Sequence, residues 1–248
     1  MEENRNENSG EVAAAGSGLR SKLENFWYYY KWHTIAAAFL IIAILVCSLQ
    51  MCSKVAVDFQ LMYAGGTSIS RQSVGGDVPA YNQLCSLIAD YVDDVDGDGH
   101  KNIAFATYYL PSPDEIKAIE ADGGEVSYSL MEKDEEAMES RFGIGDYYLC
   151  FLSPFVYEQY KGEEGACIFS RAALYAPEDS SLEYYSEYAV KLSSTAFYKD
   201  NAIVRDSLPE NTLVVLRIKS AAGATFNKKE NDASFARAEA AFRAILAE

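Results

Sequence analysis

KVAVDFQLMY, Lys54 to Tyr63, sets Val55, Val57, Phe59 and Leu61 on one side of an extended chain. A period of two over this length predicts a β-strand with a buried face. GGTSISRQSVGGD follows and reads as a flexible connector. In PAYNQLCSLIADYV (Pro79 to Val92), Tyr81, Leu84, Leu87, Ile88 and Tyr91 recur at helical spacing, with Pro79 suited to the first turn. NIAFATYYL (Asn102 to Leu110) is a second strand, stopped by Pro111 and Pro113. Strand, helix and strand in this order suit a crossover connection, which joins parallel neighbours.

The pattern continues outward. MEKDEEAMESRF is a helix, DYYLCFL (Asp146 to Leu152) a third strand, and Ser153-Pro154 caps a short helix FVYEQY. TLVVLRI (Thr212 to Ile218) is a further strand. In the closing helix DASFARAEAAFRAILA, one apolar stripe joins Phe235, Ala238, Phe242, Ile245 and Leu246. The stretch from Gly162 to Ser207 has no clear period. The fold class expected is α/β with a largely parallel sheet, formed as one domain over residues 54–248.

Toward the N-terminus the chemistry changes. TIAAAFLIIAILVCSLQM, Thr34 to Met51, is 18 residues without a charge. At 1.5 Å per residue it spans a hydrocarbon layer of ~30 Å, so residues 34–51 predict a transmembrane helix. FWYYYKWH before it has the character of an interfacial aromatic belt, and residues 20–33 form a juxtamembrane segment. Arg20, Lys22 and Lys31 precede the span, whereas Lys54 alone closely follows it. The positive-inside rule then puts the N-terminus in the cytoplasm and the α/β domain outside the cell membrane, as a single-pass protein. A cleaved signal peptide fits less well, because the leader is long and no small-residue cleavage site follows. Residues 1–19, polar and aperiodic, are expected to be a disordered cytoplasmic tail.

Charge excludes one class of partner. Of 37 acidic and 21 basic residues, 32 and 17 lie beyond residue 33, so this part repels nucleic acid. Scarcity of histidine, with His33 and His100 only, excludes multi-histidine zinc sites and leaves few places for a histidine-dependent triad. The five cysteines, Cys47, Cys52, Cys85, Cys150 and Cys167, make no metal-binding spacing and read as buried thiols, with a Cys150–Cys167 bridge left open. No catalytic set is evident, so an enzyme is the less favoured expectation.

One stretch has the spacing of a chemical site: DVDGDGHKN, Asp94 to Asn102. Calcium prefers several hard oxygen ligands, and alternate residues on a tight loop can point inward together. The stretch resembles the calcium loops of EF-hand and dockerin proteins. That resemblance implies ligands from Asp94, Asp96 and Asp98, from the backbone carbonyl of His100, and from Asn102, with Gly99 at the sharp turn. Phe105 stands where such loops carry their last acid. The remaining carboxylate must come from Asp93 or a distant acid, or water must complete the shell. Affinity on the order of 10⁻⁴ to 10⁻³ M is therefore expected, suited to an extracellular module. A solvated Asp-Gly turn without a cation is the competing reading.

A second expectation concerns the strand ends. In α/β sheets ligands bind beyond the C-terminal ends of strands, which here brings Thr67, Ser68, Ser112 and Ser153 toward one groove. KLENFWYYYKWHT, the single span, DVDGDGHKN and DYYLCFLSP together look like a group of uncharacterised single-pass proteins of Gram-positive bacteria. Their outer part is similar to pieces of extracytoplasmic solute-binding proteins. The resemblance implies a membrane-anchored module that binds a small ligand or an envelope protein, with a structural calcium ion. A scaffold subunit of a cell-envelope complex and an envelope hydrolase are the alternatives.

Overall fold

The computed structural model describes residues 8–52, 57–72, 77–145, 147–163, 166–178, 181–219 and 228–247. Two compact units result, Met1–Val55 and Ala56–Glu248.

The first unit is one helix, α1 (Asn8–Cys52). Its segment Phe26–Ser48, 23 residues, is long and apolar enough to cross a membrane. Phe39, Leu40, Ile41, Ile42, Ile44, Leu45 and Val46 are exposed around it, and a helix that is apolar all round calls for an apolar surrounding. Thr34 and Ser48 donate their hydroxyls to the carbonyls of Tyr30 (3.0 Å) and Ile44 (2.8 Å), so neither needs water. The sequence reading expected disorder through residue 19, yet the helix begins at Asn8. Alanines 13–15 favour helix, and extending an existing helix avoids the cost of nucleation. Residues 1–7 of that expected tail lie outside the described residues.

The second unit is a six-stranded sheet with helices on both faces. Its strands are β1 (Phe59–Gly65), β2 (Ile103–Tyr109), β3 (Leu149–Leu152), β4 (Tyr184–Ser186), β5 (Ala189–Lys191) and β6 (Leu213–Leu216). Their order is β2-β1-β3-β6-β5-β4. Phe59 pairs with Ile103 and Leu61 with Leu149, and β2, β1 and β3 run parallel. The expectation of a largely parallel sheet needs correcting beyond β3, because β3–β6, β6–β5 and β5–β4 are antiparallel. Between β3 and β6 the chain makes a tight hairpin rather than one crossover helix, and antiparallel neighbours need no crossover. That hairpin lies in the stretch where the sequence carried no period.

The alternation of β1 buries both sides. Phe59, Leu61 and Tyr63 enter one core, where they meet α2 (Ala80–Ala89), α6 (Ala196–Asp200), α7 (Ala202–Ser207) and α8 (Lys228–Ala247). Met62 and Ala64 enter the other, against α4 (Tyr128–Ile144) and α5 (Pro154–Tyr160). The helix α3 (Pro113–Ala121) contributes no buried residue. A strand covered on both faces, as β3 and β6 are, has no polar side, which is why DYYLCFL and TLVVLRI read as continuous apolar runs. The strand expected from Lys54 starts later, at Phe59, with Val57 exposed and residues 53–56 outside the described set. The stripe foreseen in α8 packs as expected, with Ala238, Phe242, Ile245 and Leu246 buried and Phe235 partly so.

Candidate metal centre

Asp58 stands one residue before β1 and is 1% exposed. Its Oδ1 accepts from the N–H of Val95 (2.9 Å) and its Oδ2 from that of Asn102 (2.7 Å). Its own N–H donates to the Asn102 carbonyl (3.0 Å). One buried carboxylate thus holds both ends of the acidic loop against the sheet. Sequence reasoning passed over Asp58, although an acid on the strand that predicts the core was a signal in itself. A buried carboxylate is kept only where donors or a cation face it.

Inside the loop, Asp94 accepts from Gly97 N–H (2.7 Å) and Gly99 N–H (2.9 Å), one on each oxygen. Those bonds hold its carboxyl below the ordinary carboxylate range. Gly97 and Gly99 have φ of 73° and 84°, a conformation that side chains other than glycine adopt at a cost. Asp96 accepts from Asp98 N–H (3.1 Å), which pulls its pKa down. Slight desolvation and the charges of Asp98, Asp58 and Asp94 outweigh that bond, so the net direction is up. Asp96 therefore sits in a field of like charge.

Asp58, Asp94 and Asp96 each bring a carboxylate oxygen within 4.8 Å of the other two. Asp98 stands outside this trio, and its carboxylate caps its own loop at the N–H of His100 (2.7 Å), the residue whose backbone carbonyl was the expected ligand. Asn102 lies where the loop joins β2, and its Nδ2 is buried without a hydrogen-bond partner. These donors suit a hard, partly hydrated cation. Carboxylate oxygens have lone pairs beyond those used for backbone N–H groups, and a cation-bound water would accept from the Asn102 amide. Comparison with protein-family models, with curated proteins and with solved structures finds no match for this chain.

The groove foreseen at the strand ends divides. The Ser112 hydroxyl accepts from Glu115 N–H (3.3 Å) while the Glu115 carboxylate accepts from Ser112 N–H (2.6 Å), a closed capping box on α3. Ser153 is buried and its hydroxyl caps α5 at Val156 N–H (3.3 Å). Both serines are thereby committed to helix ends. Thr67 and Ser68 instead line a cleft of about 480 Å³ beside the outer edge of β2.

Among the described residues Cys47, Cys85, Cys150 and Cys167 are free thiols, so Cys150 and Cys167 are not bridged. The expectation of buried thiols holds for Cys150 alone of these, since Cys47 is exposed and Cys85 and Cys167 are partly buried. Cys150 is fully buried, and burial pushes its thiol up to about 12. Tyr184 and Tyr185 of β4 are exposed, with Tyr185 edge-on to Tyr157 at 5.6 Å.

Proposed function

We propose that this protein is a membrane-anchored, extracytoplasmic ligand-binding or interaction module whose acidic loop is held by a structural calcium ion. The observation that carries the calcium reading is the convergence of buried Asp58, from the start of the sheet, on Asp94 and Asp96 of the loop. Asp58 supplies the distant acid that the loop lacks at its twelfth position. Like charges so placed repel, and a divalent cation converts that repulsion into attraction. Three carboxylates with the Asn102 side chain make a short ligand set, consistent with weak affinity. Weak affinity in turn matches a compartment where calcium is abundant, on the far side of a membrane that Phe26–Ser48 is long and apolar enough to cross. The ligand-binding reading is supported by the cleft at β2, placed near the strand ends where α/β sheets take their ligands. Calcium here has a positioning role: it fixes the α2–β2 connection relative to β1.

Thermal unfolding of the full chain in detergent tests this, in chelator and in millimolar calcium. Calcium is expected to raise Tm, and Asp96→Ala to abolish the rise. A Tm indifferent to calcium overturns the metal reading.

A further inference from the structure

The sheet ends at β2, and among the described residues its outer edge leaves the backbone groups of Thr107 open toward a cleft. In a parallel ladder, alternate residues direct both backbone groups to the same neighbour. Leu110 N–H donates to Gly65 O (2.8 Å) and Phe59 N–H to Asn102 O (3.4 Å), so the even-numbered residues of this strand face β1. Ile103, Phe105, Thr107 and Tyr109 turn their N–H and C=O groups outward. Side chains cover two of these positions. The Phe105 carbonyl accepts from the Tyr81 hydroxyl (3.1 Å) and from Arg71 Nη2 (3.5 Å), and Tyr109 N–H donates to Asp134 Oδ2 (2.7 Å). Thr107, between them, makes no backbone hydrogen bond on its outer side among the described residues.

Chain direction gives this gap a polarity. Thr107 N–H lies on the Phe105 side, beside Arg71, whose Nη2 also donates to Thr107 Oγ1 (3.3 Å). Thr107 C=O lies on the Tyr109 side, beside Asp134. The cation therefore flanks the donor and the anion flanks the acceptor. Arg71 is held over the Tyr81 ring at 4.6 Å, and Asp134 is anchored by its bond to Tyr109 N–H, so the two charges are kept apart by the strand itself.

We propose that this cleft binds a free α-amino acid as its zwitterion. The ligand carboxylate accepts from Thr107 N–H and Arg71, and the ligand ammonium donates to Thr107 C=O and Asp134. Main chain thus pairs with main chain, as in one rung of an antiparallel ladder, with a fixed charge at each end. The reversed orientation places ammonium against guanidinium and carboxylate against carboxylate, so the site accepts one direction only. A continuous peptide strand fits less well, since Tyr81 and Arg71 cover the edge before Thr107 and Asp134 covers it after. The volume of about 480 Å³ suits a small molecule. A zwitterion also escapes the repulsion that a chain of formal charge −16 exerts on anions. Ile69 and Leu130 on the wall favour an apolar side chain.

This inference rests on the ligand-binding part of the proposed function and is independent of calcium. The test is calorimetric titration of the full chain in detergent with each of the twenty amino acids, up to ~10 mM so that millimolar binders register. L-Leucine is the lead probe, compared with N-acetyl-L-leucine, L-leucinamide and trileucine. Blocking either end is expected to weaken binding on the order of 10- to 100-fold, as is Arg71→Gln or Asp134→Asn. The variants are also expected to lose discrimination selectively: Asp134→Asn between leucine and its N-acetyl form, Arg71→Gln between leucine and its amide. Heat from no amino acid overturns the inference, as does binding indifferent to both blocked ends. Trileucine binding without amino-acid binding also overturns it, while leaving the wider ligand-binding reading in place.

Discussion

Replacing Asp58 with alanine removes one buried carboxylate and cuts two ties between the sheet and the acidic loop. Val95 and Asn102 lie 37 and 44 residues away in sequence, and both of their N–H groups lose an ionised acceptor. Hydrogen bonds to charged groups contribute ~1.5–3 kcal/mol each, and bonds sharing one carboxylate do not add fully. Relief of repulsion on Asp96 offsets a little of the loss, since Asp58 is one of the charges that raise its pKa. A net destabilisation of ~3 kcal/mol in chelator is therefore expected, equivalent to a fall in Tm of ~6–12 °C for a domain of this size. Calcium separates the two roles of the residue. At ~10 mM calcium and a Kd of ~10⁻⁴ to 10⁻³ M, the wild-type chain gains ~1.4–2.7 kcal/mol by mass action, which Asp58→Ala is expected to lack. Circular dichroism melts of both chains, each in chelator and in calcium, measure the four values. A fall of less than ~2 °C in chelator would show that Asp58 does not pin the loop. An undiminished calcium shift in the variant would remove it from the ligand set.

Two glycines offer a paired check on backbone conformation. Gly99→Ala places a Cβ at φ 84°, with no atom within 4 Å to clash, so the cost of ~1–2 kcal/mol is conformational and lowers the denaturation midpoint. Gly143→Ala in α4 has the same open surroundings at a helical position and is expected to add up to ~1 kcal/mol of stability, raising that midpoint. Thiol chemistry probes the core: in the folded chain at pH 8, Cys150 is expected to resist iodoacetamide, and mass-spectrometric detection of rapid labelling there would contradict its burial. The same thiol sets an alkaline limit. Its folded pKa of about 12 lies above its ordinary value of 9.0, so the stability from keeping it neutral is fully present below pH 9.0 and is lost as pH rises toward 12. The slope is up to ~1.4 kcal/mol per pH unit, and Cys150→Ser is expected to flatten it in denaturation series across that range.

Local periodicity carried most of the element assignment. A period of two at Phe59–Tyr63 and a helical stripe at Leu84 and Ile88 are written into neighbouring residues, because the side of an element on which a residue falls depends only on its spacing. The same holds for α8 and for the apolar segment of α1. The segment between Gly162 and Ser207 was opaque for the converse reason. Its strands β4 and β5 are three residues each, too short to show a period; they form by pairing, β4 with β5 and β5 with β6, a strand distant in sequence.

The candidate site divides along the same line. By itself the sequence determined that Asp94, Asp96 and Asp98 share a tight loop with Gly97 and Gly99, since alternation and positive-φ glycines are properties of a few consecutive residues. It could not single out Asp58, whose role arises because β1 and β2 lie side by side and bring residue 58 against residues 95 and 102. Nor could it show that Ser112 and Ser153 turn back to cap helices while Arg71 and Asp134 bracket Thr107. Those positions depend on which strand forms the edge of the sheet and which way it runs, and strand order is settled by long-range burial of two cores rather than by any local pattern.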